Sequence, residues 1–150
     1  MKGGWETAMG LELIKLTAEE VVIEWDIDRR HLQPYGIVHG GVHCGVVEAA
    51  CSLGAAAAAA PRGQIVMGME NHTSFLRAVR EGRLRAAARP IHVGQRAMLW
   101  EATITDLKDG RVVATGRVRL FCDKRIGAGT GTATSTASLP QVTPPQKPVP

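Results

Sequence analysis

The sequence has few cysteines and few aromatic residues, and it has no long uninterrupted hydrophobic run. Its three cysteines are an odd number that predicts no disulfide framework, which fits a reducing compartment. One Tyr, two Phe and three Trp are too few for the stacking surfaces that bind single-stranded nucleic acid. The N-terminus, MKGGWETAMGLEL, lacks the continuous apolar stretch of a secretory signal. These shortages together predict a cytoplasmic protein.

The most hydrophobic stretch, residues 46–60, consists mostly of alanine and contains Glu48. A buried core helix explains this composition better than a membrane span, which needs about 20 predominantly apolar residues. The net charge of +4 is a mild excess that suits an anionic small ligand and is too small to predict DNA binding. We therefore expect neither a membrane nor a nucleic acid as a partner.

The chain of 150 residues has the usual length of one domain with one hydrophobic core. Residues 126–150 consist of Gly, Thr, Ala, Ser and Pro with almost no large apolar side chain. Such a segment cannot bury enough surface to offset the entropy of ordering it. We therefore predict a folded domain over residues 1–125 and a disordered tail over residues 126–150.

Alternation of apolar and polar residues predicts six β-strands. Residues 11–16 and 21–28 read as a hairpin around a turn at 17–20, and four further strand-like runs lie at 64–77, 83–92, 96–106 and 111–122. Residues 40–60 predict one helix that stops at Pro61 and Gly63 and is apolar or small on nearly all faces. We therefore predict an α+β fold, in which an antiparallel sheet of five to six strands wraps around one long central helix.

The start of this helix and one carboxylate on it are the candidate catalytic groups. Gly40 and Gly41 leave the first helical amides bare, where exposed N–H groups and the helix dipole favour a developing negative charge. Glu48 lies two turns further along and shares a helix face with Cys44 and Ser52 at i, i+4 spacing. A carboxylate among apolar neighbours is costly unless it is hydrogen-bonded, neutralised or used.

The segment HLQPYGIVHGGVHCGVVEAACSLGA, residues 31–55, resembles the hotdog-fold acyl-CoA thioesterases of the phenylacetate-degradation and 4-hydroxybenzoyl-CoA type. The matching positions are Gln33, Gly36, His39, Gly40, Gly41, Glu48 and Ser52. The resemblance continues more weakly through MGMENHTSFLRAV, HVGQRAMLW and the closing strand after residue 110. It implies a hotdog fold and the hydrolysis of an acyl-CoA thioester to a free acid and CoA.

The resemblance also implies roles for individual residues. Glu48 would be the nucleophile or the general base, two roles that the sequence does not separate. The Gly40 amide would polarise the thioester carbonyl, and Gln33 would orient that carbonyl or a water molecule. Ser52 would bond Glu48 or hold the water, whereas His39 is expected to brace the loop rather than transfer protons.

Substrate-binding residues follow from the same resemblance through a looser alignment. The residues concerned are Gly41 at the helix start, Asn71, Thr73 and Ser74 contributed across a dimer, and Arg96 as a ligand of the CoA phosphates. Arg77 and Arg89 are further candidates for binding phosphate.

Several alternatives remain open beside the hydrolase hypothesis. Glu48 can instead be a structural carboxylate within an oligomer interface. His39 and His43 stand at i, i+4 spacing, but no recognised ligand set surrounds them, so we predict no metal site, and no cofactor is predicted. A non-catalytic acyl-CoA-binding protein and a hotdog hydratase or dehydratase are the alternative functions, and the second would require a different pairing of histidine with an acidic residue.

The predicted assembly is a homo-oligomer. A six-stranded sheet around one helix leaves unpaired edge strands, so two subunits are expected to pair into a continuous sheet. The active sites would then lie at the subunit interface, and the resemblance implies a dimer or a dimer of dimers.

Overall fold

The helix and strands follow each other in the predicted order. The computed structural model describes residues 4–124, to which all structural statements below refer. Its elements are α1 (Gly4–Ala8), β1 (Glu12–Leu16), β2 (Val21–Asp26), α2 (Gly40–Ala59), β3 (Gln64–Phe75), β4 (Arg83–Val93), β5 (Ala97–Asp106) and β6 (Val112–Lys124). The predicted α+β architecture is confirmed, whereas the predicted tail at 126–150 lies outside the described residues.

The six strands form one antiparallel sheet in the order β1-β2-β4-β5-β6-β3. The strand that follows α2 therefore crosses to the far edge of the sheet, where it pairs only with β6 among the described strands. Side chains along β3 are exposed to an unusual degree, including Ile65 at 40%, Met67 at 45% and Met69 at 61%. A long edge strand with exposed apolar side chains is typical of a surface that another chain covers.

Helix α2 lies against the inner face of this sheet. Val46, Val47 and Ala50 are fully buried on it, and a glycine at position 54 allows an aromatic ring to lie directly against the helix backbone. A Cβ atom on Gly54 would collide with the indole of Trp100, which is itself fully buried. The small residues of α2 thus permit the close helix and sheet packing predicted from the sequence.

Two short 3-10 turns and α1 were not predicted. The first turn, Arg29–His31, buries the His31 ring, whose Nδ1 accepts the backbone N–H of Asp28 at 2.9 Å. The proton of the uncharged ring is then on Nε2, which lies 2.9 Å from the carbonyl oxygen of Met9. The carbonyl of His31 accepts the N–H of His39 at 2.8 Å. His31 therefore ties the N-terminal segment to the start of α2.

The C-terminal end of α2 agrees with the predicted stop. The helix passes into a 3-10 turn, Ala60–Arg62, that contains Pro61 and ends at Gly63 with φ of +64°. Helix and turn together are long and apolar enough to cross a membrane, but 56% of that window is buried within the protein. The core helix of a sheet-wrapped domain has the same length and composition.

Replacing Gly54 by alanine tests the packing of α2 on the sheet. Alanine favours a helix over glycine by about 1 kcal/mol, but overpacking a core typically costs about 1–3 kcal/mol. We expect Gly54→Ala to lower the free energy of unfolding, measured by urea denaturation. Adding Trp100→Leu should make the same change less harmful, and a double-mutant cycle measures that coupling. A simple gain in stability from Gly54→Ala would contradict the packing described above.

Candidate active site

Glu48 is the half-buried carboxylate on the α2 face that turns toward β3. Its Oε1 accepts the hydroxyl of Ser52 at 3.3 Å, and its Oε2 accepts the side-chain amide of Asn71 at 3.0 Å. The same Asn71 nitrogen donates to the carbonyl oxygen of Cys44 at 3.1 Å. Hydrogen bonds to both oxygens fix the orientation of the carboxylate between the helix and the strand.

A second hydrogen bond fixes Asn71 in turn. The Thr73 hydroxyl donates to Asn71 Oδ1 at 2.7 Å, so the Asn71 amide nitrogen is turned toward Glu48. Thr73 itself packs against Gly116 of β6, where a Cβ would lie 2.6 Å from the Thr73 oxygen. Asn71 and Thr73, predicted to act across a dimer, thus contact the Glu48 network within one chain. Ser74 alternates to the other side of β3 and is not brought to this network.

A glycine in β3 makes room for the carboxylate. A Cβ on Gly68 would collide with Glu48 Oε1, so any other residue at this position would require the carboxylate to shift. The strand also carries a register shift between Gly68 and Glu70. Glycine within a strand often marks such a close approach. Gly68 is not among the residues predicted from the sequence, although a glycine inside a strand-like run was the signal that could have found it.

The start of α2 is capped by His39. Its Nδ1 accepts the N–H of Gly41 at 2.8 Å, which leaves the Nδ1 lone pair occupied. Gly40 is the first residue of the helix, so its N–H has no acceptor within the helix. The cap thus uses the Gly41 amide and leaves the Gly40 amide as the donor that a ligand can reach. This geometry fits a bracing role for His39.

A cavity of about 490 Å³ opens at this helix start. Its walls are largely apolar and contain Gln33, Ile37, Val38, His39, Gly40, Gly41, His43, Phe75, Leu76, Arg77 and Ala78. The ring of Phe75 covers Gly40, because a Cβ there would lie 2.7 Å from it. Gln33 is held in the wall by backbone hydrogen bonds to Ile37 and Gly36. Phe75 was missed from the sequence.

Glu48 does not line this cavity. Eight residues of helix separate it from Gly40, which corresponds to ~12 Å along the axis. One thioester carbonyl cannot contact both groups of the same chain at that separation. The described chain therefore holds the two predicted catalytic groups apart, as two candidate half-sites, one at the helix start and one at Glu48.

A second cavity, of about 480 Å³, adjoins the first and shares Arg77 and Ala78 with it. Its charged lining residues are Arg77, Arg80, Glu81, Asp106, Lys108, Asp109 and Arg111. The Arg111 guanidinium forms an ion pair with Asp109 and, aided by Arg77, holds the pKa of that carboxyl below its usual value. Four cations against three carboxylates leave the cavity slightly positive, with Arg77 at the boundary to the first cavity.

The other predicted phosphate ligands lie elsewhere. Arg96 belongs to the β4–β5 turn, which accepts hydrogen bonds from Arg62 and Gln64 at the opposite end of α2 from Gly40. Arg89 forms an ion pair with Glu101 at 2.9 Å on the outer side of the sheet. Among residues 4–124, no three His, Cys, Asp or Glu side chains cluster in a way that could hold a metal ion.

Known proteins are similar to this chain in sequence and in fold. The chain is 38% identical over 118 residues to a Mycobacterium tuberculosis protein named as an esterase, a match that covers 77% of this chain and 84% of that protein. The solved structure of the Mycobacterium tuberculosis protein Rv1847/MT1895 superposes with a TM-score of 0.77 at 37% identity, covering 79% of this chain and 95% of the other.

Two further relatives have more specific names. The chain is 33% identical over 103 residues to the 1,4-dihydroxy-2-naphthoyl-CoA hydrolase of Listeria monocytogenes, covering 69% of this chain and 83% of the relative. It is also 33% identical over 110 residues to the proofreading thioesterase EntH of Cronobacter turicensis, covering 73% and 79%. Residues 35–113, which include both Gly40 and Glu48, match the Thioesterase superfamily. The chain therefore belongs to the Thioesterase superfamily, with the hotdog fold and the thioester-hydrolysing chemistry of that family.

Proposed function

We propose that this protein hydrolyses acyl-CoA thioesters at sites formed by two subunits, each combining Glu48 of one chain with the Gly40 amide of the other. The single observation that carries the proposal is the ~12 Å of helix between these two groups within one chain. Each group is prepared for chemistry, Glu48 by its two hydrogen-bond donors and Gly40 by its free amide. A second chain must complete each half-site.

The edge strand supplies a way to join the half-sites. Gly68 of β3 contacts Glu48, and Phe75 of β3 contacts Gly40. If two β3 strands pair in antiparallel fashion about a point between Asn71 and His72, residue 68 of one lies beside residue 75 of the other. Glu48 then lies beside Gly40 of the partner subunit. The exposed apolar side chains of β3 support such a pairing.

The reaction uses the two half-sites together. The Gly40 N–H donates to the thioester carbonyl oxygen and stabilises the negative charge that develops there. Glu48 either takes a proton from a water molecule that attacks the carbonyl carbon, or attacks that carbon itself to form an anhydride that water then hydrolyses. In both routes the bond from carbon to sulfur breaks and CoA leaves as its thiol. Gln33 and Ser52 orient the carbonyl or the water.

The choice of CoA as the carrier rests on charge and on relatives. The basic cavity beside the Gly40 cavity suits the phosphates of a nucleotide, and the Listeria monocytogenes relative is named for a CoA thioester. Arg96 remains a predicted phosphate ligand only if a neighbouring subunit brings it to the site. We further expect a cytoplasmic dimer of dimers, in which the three cysteines stay free as they are in the structure.

Glu48→Gln tests the role of the carboxylate. The amide cannot act as a base or as an effective nucleophile, so we expect kcat for benzoyl-CoA or phenylacetyl-CoA to fall by about 10²–10⁴-fold. Release of free thiol measures the rate. The matched control is Glu19→Gln, an exposed glutamate in the turn between β1 and β2. Equal rates for Glu48→Gln and the wild type would overturn the proposal, and binding of the ester without turnover by the wild type would favour a sensor.

Mixing two inactive variants tests whether each site spans two subunits. Gly40→Val blocks the amide and Glu48→Gln removes the acid, so a mixed dimer contains one intact site and one doubly defective site. We expect about a quarter of wild-type activity after random exchange of subunits, because half of the dimers are mixed. Each variant alone should remain inactive. A mixture without activity, although mass spectrometry detects mixed dimers, would place the whole site within one chain.

Arg77→Ala tests the basic cavity as the nucleotide site. Loss of one charge-assisted contact with phosphate should raise KM several-fold and leave kcat nearly unchanged, because the contact is the same in the ground and transition states. The control is Arg117→Ala, which removes an exposed arginine of β6 that lies near Glu101 of β5. The same KM for both variants would show that the phosphates bind elsewhere.

A further inference from the structure

Arg80, in the loop between β3 and β4, connects the basic cavity with the turn that carries Gln33. Its side chain is exposed and forms part of the wall of the basic cavity of about 480 Å³. Its Nη1 also donates to the carbonyl oxygen of Tyr35 at 2.9 Å and to that of Gly36 at 3.2 Å. One guanidinium group therefore contacts both the proposed nucleotide site and the backbone beside a predicted catalytic residue.

The tip of this turn depends on Arg80 for its position. The end of the turn is held by the backbone, because the N–H of Val38 donates to the carbonyl oxygen of Val79 at 2.8 Å. Within the described part of the chain, only the two hydrogen bonds from Arg80 join residues 34–36 to any segment beyond the turn itself. The Tyr35 side chain is 81% exposed, so packing holds the tip only weakly.

The side chain of Gln33 follows the tip of the turn. Its Oε1 accepts the backbone N–H of Tyr35 at 3.4 Å, and its carbonyl oxygen accepts the N–H of Gly36 at 2.8 Å. The side-chain oxygen is thus bound within the turn, whereas the Gln33 amide nitrogen keeps its two N–H donors for a ligand in the cavity at the helix start. A shift of the tip would turn this amide away from its orientation. Arg80 therefore acts on Gln33 through two backbone carbonyls.

The guanidinium of Arg80 has donors left over for an anion. A guanidinium carries five N–H donors in one rigid plane, and Nη1 supplies both bonds to the turn. The three donors on Nε and Nη2 have no acceptor among residues 4–124, where Arg80 also forms no ion pair. A phosphate group in the basic cavity can accept these bonds. Because the plane is rigid, an anion that fixes one part of the guanidinium also fixes the bonds to the turn.

We propose that Arg80 is a positioning residue through which a phosphate group bound in the basic cavity orders the Gln33 turn. The inference rests on the proposed function, since it takes Gln33 as the group that orients the thioester carbonyl or the water. A ligand shifts an equilibrium only as far as its affinity for the two states differs, and here phosphate finds the donors of Arg80 aligned only when the turn is in place. Binding energy from the nucleotide is then used at the reacting carbonyl.

A substrate divided into two pieces tests this coupling. The N-acetylcysteamine thioester of benzoate carries the reacting carbonyl without the nucleotide, and adenosine 3′,5′-bisphosphate supplies phosphates of CoA separately. We expect the bisphosphate to raise kcat for this ester about tenfold in the wild type, which is within the usual range of coupling between two sites, and to leave kcat of Arg80→Ala unchanged. A wild type that does not respond, or an equal response of Arg80→Ala, would overturn the proposal.

Variants of two arginines separate positioning from simple binding of phosphate. With benzoyl-CoA, Arg80→Ala should lower kcat about tenfold and raise KM, whereas Arg77→Ala should raise KM alone. Arg80→Lys keeps the charge without the planar group, so we expect it to recover KM and not kcat. In Gln33→Ala, adding Arg80→Ala should cause no further loss of kcat. A wild-type kcat for Arg80→Ala would show that Arg80 only binds the phosphate.

The single tyrosine of the chain gives a readout that does not depend on turnover. Tyr35 lies at the tip of the turn, so protein labelled with fluorotyrosine has one fluorine resonance in its NMR spectrum. Adenosine 3′,5′-bisphosphate should shift this resonance in the wild type and in Glu48→Gln, but not in Arg80→Ala. If the resonance responds through Arg80 while the wild type releases no thiol, the proposed hydrolysis fails and the ordering of the turn by Arg80 stands. If thiol is released while the resonance does not respond, the hydrolysis stands and the coupling fails.

Discussion

The contact between α2 and the edge strand β3 is the constraint on which the rest of the site depends. Two glycines permit it, because a Cβ on Gly68 would collide with Glu48 and a Cβ on Gly116 would crowd Thr73 and Val47. Close approach gives the carboxylate a partner in Asn71 that the helix alone cannot supply. The strand that satisfies the acid is also the strand whose outer edge is free to pair. Folding of the chain and the proposed assembly of the active site thus use the same element.

Helix geometry then decides how the reaction can be organised. A helix fixes the separation of Gly40 and Glu48, and no side-chain rotamer changes the position of a backbone amide. On the proposed roles, one chain provides an acid without an oxyanion donor and an oxyanion donor without an acid. In the proposed dimer, a twofold axis through β3 pairs each with its complement and creates two equivalent sites at once. Dimerisation is, on this proposal, a chemical requirement as well as a means of covering an apolar edge.

The helix and the strands could be predicted from the sequence, because each depends on residues that are close together in the chain. The bounds of α2 follow from Gly40 and from Pro61 with Gly63, and the strands follow from alternation along the chain. The hydrogen-bond partners of Glu48 were harder to predict, because only the position of β3 against α2 brings Asn71 and Thr73 to the carboxylate. Helix α1 has five residues and a weak pattern, so nothing in the sequence marked it.

Arg96 illustrates a different limit of the sequence. Its motif predicts phosphate binding, but the β4–β5 turn lies at the opposite end of α2 from the cavity at Gly40. Arg77, a lesser candidate from the sequence, stands where the two cavities meet. A motif specifies the type of residue, whereas the topology of the sheet specifies the end at which it is placed. The topology of the sheet, and not the motif, therefore distinguishes Arg77 from Arg96 as the candidate near the cavity at Gly40.

The three histidines around the helix start show how the fold assigns different roles to one residue type. His31 uses Nδ1 as an acceptor for Asp28 and presents Nε2 to Met9, so its tautomer is fixed by the backbone. His39 uses Nδ1 to cap Gly41. Both rings are bound to the backbone that shapes the helix start, and a ligand gains little from either Nδ1. Among the described residues, His43 alone of the three has a buried ring nitrogen without a hydrogen-bond partner, and its side chain lies with that of His39 in the wall of the cavity at the helix start.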